Sequence, residues 1–130
     1  MMILTIRTDK PEAEIGLFDG GQRLAYETWH AHRELSVTIL TKIEEVLASQ
    51  DKNVRNVEGI VGFAGPGSFT GLRIGLTIAN TLAYGLQKPV VAAKGDDWIH
   101  EGIKRLEAGQ ADMIALPEYG APARITQQRK

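Results

Sequence analysis

The hydrophobic pattern of this chain switches repeatedly between short apolar runs and helical stripes, and that switching predicts the elements in order. Met2-Ile3-Leu4-Thr5-Ile6 reads as a buried first strand. Thr8-Asp9-Lys10-Pro11 is a turn, and Ala13 to Phe18 a second strand. Asp19-Gly20-Gly21 is a hairpin signal leading into a third strand from Gln22 to Trp29. From Arg33 to about Ser49, Leu35, Ile39, Ile43, Val46 and Leu47 keep helical spacing, with Val37 and Leu40 widening the stripe. Glu44 and Glu45 fall outside it and read as solvent-facing. Gln50 to Asn56 is a polar connection, and Val57 to Ala64 a strand buried on both faces. A helix is predicted over Phe69 to Leu86, then a brief strand at Val90-Val91-Ala92-Ala93. Asp96 or Asp97 caps a last helix whose apolar side is Trp98, Ile99, Ile103 and Leu106, and Gly109 stops it.

Three antiparallel strands followed by helix, strand, helix, strand and helix describe an α/β fold. It is a mixed five-stranded sheet with helices on its faces, the order found in half of a ribonuclease-H-like, actin-like ATPase architecture. Parallel strands after the meander require right-handed crossovers, which the two longer helices supply. Residues 1–110 form this one lobe, and residues 111–130 an extended C-terminal segment in which Pro117-Glu118-Tyr119-Gly120-Ala121-Pro122 excludes regular structure. Arg124 to Lys130 carries three positive charges and no acid, which suits a solvated terminus or an arm reaching a partner or RNA phosphate.

The helix from Phe69 has more apolar surface than a sheet requires. Gly71, Leu72, Ile74, Gly75, Leu76, Ile78, Ala79, Leu82, Ala83 and Leu86 cover an arc of roughly 200°, about twice the stripe of a surface helix. Gly71, Gly75, Ala79 and Ala83 make a strip without bulk where another backbone comes close. Each glycine costs about 1 kcal/mol relative to alanine in a helix interior, so something must offset two of them. Either the strip sits low on its own sheet, or part of the arc is a subunit interface.

Ahead of that helix runs Gly65-Pro66-Gly67-Ser68-Phe69-Thr70-Gly71-Leu72-Arg73-Ile74-Gly75, a glycine turn in which Ser68 is a good N-cap. Such turns often cradle phosphate. This one lacks the Gly-Lys-Ser/Thr of a P-loop, and Gly71 lies four residues after Gly67 where the dinucleotide fingerprint needs three. Taken alone, it reads as a structural turn.

Composition removes several classes of function. The 130 residues carry 15 basic against 16 acidic side chains, so there is no basic excess to bind nucleic acid electrostatically. With no cysteine, disulfides, thiolate catalysis and cysteine-based zinc sites are excluded. His30 and His32, two apart, do not share a helix face, and no metal site is expected. No apolar run reaches the ~20 residues that span a bilayer, so a cytoplasmic location is the expectation.

The run from Gly65 to Gly75 closely resembles the G-P-G-S-F-T-G-[LV]-R-I-G signature of the bacterial TsaB (YeaZ) family, matching it without interruption. The likeness extends to the opening strand, to the helix start at His32-Arg33-Glu34-Leu35, to the strand at Val90 and to the closing Leu116-Pro117-Glu118-Tyr119. The resemblance implies a role in making threonylcarbamoyladenosine (t6A) in tRNA, as a non-catalytic subunit without a cofactor of its own. Its partner would be a TsaD-like transferase, working with a TsaE-like ATPase and meeting tRNA indirectly through the complex; alone, the chain could form a homodimer. Family members pair through the two helices of the first lobe, here Arg33–Ser49 and Phe69–Leu86. Interface residues on that reading are Leu35, Ile39, Ile43, Gly71, Leu72, Gly75, Leu76, Ala79 and Ala83, and Gly75→Leu is expected to leave the monomer folded while weakening pairing.

The chain departs from the family twice. The sequence runs from the first lobe straight to the C-terminal segment, so the second lobe is expected to be missing. The family's opening strand commonly ends Asp-Thr-Ser, whereas this one ends Arg7-Thr8-Asp9, placing a cation where related ATPases hold metal-nucleotide. A contrasting reading makes the chain a small nucleotide-binding domain using the Gly65–Gly71 turn. A Ser-His-Asp hydrolase would have to use Ser68, which the helix cap already occupies.

Overall fold

Strand β1 (Met2–Arg7) lies at the centre of a five-stranded sheet ordered β3-β2-β1-β4-β5, in a computed structural model that describes residues 1–30 and 35–117. It pairs antiparallel with β2 (Glu12–Asp19), which pairs antiparallel with β3 (Gln22–His30) across a two-residue loop. Gly20 in that loop takes φ +58°, which glycine adopts without strain. On its other side β1 pairs parallel with β4 (Gly59–Gly65), and β4 pairs parallel with β5 (Val90–Lys94). The mixed sheet and its three helices are those the hydrophobic pattern predicted.

Alternation decides which helix covers which residues. Leu4 and Ile6 of β1, Ala13, Ile15 and Leu17 of β2, and Ile60 of β4 point to one face. There they meet Ile39, Ile43 and Leu47 of α1 (Leu35–Ala48) and Leu76, Ala79 and Ala83 of α2 (Phe69–Leu86). Ile3, Phe18, Val61, Phe63, Val91 and Ala93 point to the other face, against Trp98, Ile103 and Leu106 of α3 (Trp98–Glu107). Fully burying one such side chain contributes about 1.5–3 kcal/mol, so these two clusters hold the layers together.

Two local features differ from the sequence expectation. The polar connection contains a single 3₁₀ turn, Val54–Asn56, because Asn53 Oδ1 accepts from the Arg55 N–H and Asn56 Oδ1 from the Asn53 N–H. Asp97 stands at the N-cap of α3 but makes no capping hydrogen bond; the first turn there places Asp97, His100 and Glu101 side by side, all exposed.

After α3 the chain crosses back over the α1/α2 side as a strap, Asp112–Pro117. Asp112 accepts from the Ala92 N–H at 2.8 Å and is held by Arg105, whose Nη2 lies 2.6 Å from Oδ1. Asn80 of α2 then grips Ala115 at both ends, donating to its carbonyl at 3.0 Å and accepting from its N–H at 2.8 Å. The rest of the C-terminal segment, with Glu118, Tyr119 and the basic end at Arg124–Lys130, lies outside the described residues, as does the helix start at His32-Arg33-Glu34.

Candidate partner interface and the glycine turn

The tip of β1 and the start of α2 are built against one another. Gly65, at φ +116°, leads through a cis peptide bond to Pro66, and the chain enters α2 at Ser68. The Ser68 hydroxyl accepts from the Gly71 N–H at 3.2 Å and donates to the Asp9 carbonyl at 3.4 Å, so it caps α2 as predicted. A Cβ on Gly67 would stand 2.7 Å from the Asp9 Cβ, and one on Gly71 2.6 Å from the Thr8 carbonyl oxygen. Thr8 and Asp9 therefore occupy the space over the turn that a phosphate cradle would leave open. Pro66 and Thr70 are exposed beside it, as is Arg73 one turn on, and Phe69 starts the helix.

Asp9 is committed to a cation of this chain. Arg7 Nε lies 2.7 Å from Oδ1 and Nη2 3.4 Å from Oδ2, and the Asp9 side chain is only 6% exposed. The same guanidinium stacks over the Phe63 ring, 3.7 Å from its centre. A nucleotide-bound divalent cation approaching this end of β1 would face Arg7 as a repelling charge and find the Asp9 carboxylate already paired.

The residues named above as interface lie mostly on the wrong side of their helices. Leu35, Ile39 and Ile43 of α1, and Leu72, Leu76, Ala79 and Ala83 of α2, are buried in the chain's own core. Gly75 is buried too, and a Cβ there would meet Thr8 Oγ1 at 2.5 Å. Gly71, half-buried, faces the same strand tip. The strip without bulk thus serves close approach to β1, and Gly75→Leu is now expected to break the fold.

What remains of the wide apolar arc is a flank. Ile74, Ile78 and Leu82 recur every fourth residue on α2, half-buried, on the side away from Asn80 and the strap. On α1, Lys42 reaches Glu27 at 2.7 Å and the Trp29 ring on β3, which turns the Leu40 side of that helix toward α2. Val37 and Leu40 are 71% and 48% exposed. Between the two helices the chain therefore presents an apolar ridge, with Val37 and Leu40 exposed and Ile74, Ile78 and Leu82 covered only in part. A second apolar cluster, Tyr84, Met113, Ile114 and Leu116, lies exposed on the strap side of α2.

A family model described as TsaD, tRNA N6-adenosine threonylcarbamoyltransferase, matches residues 29–99, more than half of the chain. The stretch holds α1, the glycine turn and α2. The chain belongs to the TsaB/TsaD family.

Curated TsaB relatives, each named a tRNA threonylcarbamoyladenosine biosynthesis protein, include that of Escherichia coli (strain K12). It is 32% identical over 96 residues, covering 70% of this chain and 39% of the relative. The TsaB of Bacillus subtilis (strain 168) is 34% identical over 92 residues, covering 71% and 40%. A tRNA N6-adenosine threonylcarbamoyltransferase of Geotalea daltonii is 43% identical over 61 residues, covering 47% and 18%. Among solved structures, YeaZ from Pseudomonas aeruginosa aligns with a TM-score of 0.65 at 27% identity, over 72% of this chain and 43% of that one. Thermus thermophilus RuvC aligns with a TM-score of 0.52 at 14% identity over 95% and 86%, a likeness of fold alone. The TsaB (YeaZ) resemblance read from the signature is borne out, and the chain spans about two fifths of the length of the TsaB relatives it matches.

Proposed function

We propose that this chain is a non-catalytic scaffold that pairs with a TsaD-like threonylcarbamoyl transferase in t6A biosynthesis, through the ridge between α1 and α2. The observation that carries the reading is that ridge: Val37, Leu40, Ile74, Ile78 and Leu82 offer apolar surface beyond what the sheet beneath requires. A helical partner would bury it by the helix-packing rules that govern cores. The TsaE-like ATPase and tRNA then join through the transferase. In the absence of the transferase, the same ridge is the surface through which two copies would associate.

Two features support the non-catalytic part. Asp9 is tied to Arg7 and closes over the glycine turn, and the Ser68 hydroxyl is held at the helix cap. Both leave the Gly65–Gly71 turn poorly suited to nucleotide, so the ATP-binding reading ranks second.

Co-expression with the TsaD-like protein of the same source tests the proposal. The expected result is a 1:1 complex by light scattering and t6A formation that depends on this chain. Separate migration of two folded proteins, or t6A formation unchanged when the chain is left out, would overturn it.

A further inference from the structure

We propose that Thr8 is a positioning residue for the partner-facing ridge, setting the seat of α2 through a hydroxyl lodged beside the helix's own hydrogen-bond ladder. The inference rests on the pairing proposed above. Thr8 follows β1 and is 4% exposed. Its hydroxyl donates to the Gly71 carbonyl and accepts from the Gly75 N–H at 2.9 Å. Residues 71 and 75 are spaced i and i+4, the pair that an α-helix joins directly. A single hydroxyl can serve both because it carries one donor and two acceptor positions.

Only glycine admits this contact. A Cβ on Gly75 would stand 2.5 Å from Thr8 Oγ1, and the Gly71 Cβ would collide with the Thr8 carbonyl. The helix is therefore fixed in height and rotation at Gly75, between Ile74 and Ile78, the two residues that begin the ridge. Groups inserted at a helix ladder are a recognised cause of local bending, so removing this one should move that flank relative to α1.

Three chains, wild type, Thr8→Val and Thr8→Ser, separate seating from plain stability. Valine keeps the shape and removes both hydrogen bonds; serine keeps the hydroxyl. Affinity for the TsaD-like protein is measured by calorimetry at a temperature where each chain is folded, alongside backbone amide NMR shifts at Ile74 and Ile78. Thr8→Ser should stay within about twofold of wild type, and folded Thr8→Val should lose about tenfold or more, a change of ~1.4 kcal/mol. Folded Thr8→Val binding as wild type does, with Ile74 and Ile78 shifts unmoved, would overturn the proposal. So would Thr8→Ser losing as much as Thr8→Val, since the methyl group would then be responsible. Should Thr8→Val not fold, Thr8→Ser decides alone: wild-type affinity and shifts support the hydroxyl, and their loss refutes it. If wild type fails to bind, the pairing reading falls, and the Ile74 and Ile78 shifts alone decide whether Thr8 seats the helix.

Discussion

Arg7 and Asp9 close on each other at the end of the central strand, Nε to Oδ1 at 2.7 Å, with the Phe63 ring stacked against the guanidinium. Removing the cation strands a carboxylate that is almost out of water. Arg7→Ala should destabilise the chain by about 3–5 kcal/mol, the range for breaking a buried pair from one side. Arg7→Lys keeps the charge but loses the fork and the flat stack, and should cost about 1 kcal/mol. Urea denaturation of both variants checks the order; equal losses would assign the effect to the guanidinium's fork and stack, and not to its charge.

The glycines of α2 should divide by neighbour. Gly75→Leu puts a side chain into Thr8 and Ile6 and should abolish cooperative unfolding. Gly85 has open space around its Cβ position, so Gly85→Ala should stabilise by about 0.5–1 kcal/mol. A thermal melt of each variant reads the two signs.

Neighbouring residues of α1 should part in the same way. Ile39 is fully buried, and Ile39→Ala should cost about 2–4 kcal/mol. Leu40→Asp should change stability by about 0.5 kcal/mol or less, as surface substitutions do, yet prevent co-purification with the TsaD-like protein. A Leu40→Asp chain that still co-purifies would move the interface elsewhere.

Asp112 makes the strap sensitive to acid. Burial works to raise its pKa, but the Arg105 hydrogen bond, then the Ala92 N–H and the charge of Arg105, outweigh it and hold the carboxyl below its ordinary value. A depressed folded-state pKa stabilises above the unfolded value near 4, and that contribution is lost as pH falls through the folded value. Amide protection factors at Ala92 and Ala115, corrected for intrinsic exchange, should therefore fall below about pH 4. In Asp112→Asn they should be low throughout, with a flatter pH profile.

One buried hydroxyl works against stability. Thr5 is fully buried on the α3 side of β1, and its Oγ1 has no hydrogen-bond partner among the described residues. Thr5→Val keeps the shape and removes the unsatisfied group, so it should stabilise by about 1 kcal/mol in chemical denaturation.

How far the sequence could be read depended on whether a feature is local. The bounds of α2 were legible because Ser68 caps one end and Lys88-Pro89 follows the other. The hairpin at Gly20-Gly21 was legible from two residues. The apolar arc of α2 was not: periodicity reports that Gly75 and Ile78 are apolar, not that β1 buries one and that the other stays half-exposed. The Asn53–Asn56 capping pair was a local signal that went unread. Asn80 and Ala115 are 35 residues apart, and the Asn80 amide grips only the backbone of Ala115, which leaves no mark on the residue type at that end.

The central strand is made long before what completes it. Thr8 hydrogen-bonds a helix residue 67 positions later, and Ile3 pairs with Gly59. At about 5–20 residues per second of synthesis, the first hairpin waits roughly 3–13 s for its helix, with Leu4 and Ile6 uncovered on the nascent chain. During those seconds the ribosome holds a half-built sheet with one open side. Chaperone capture and mispairing with a neighbouring copy compete with native completion there, so slowing translation between codons 30 and 70 should lower the soluble yield.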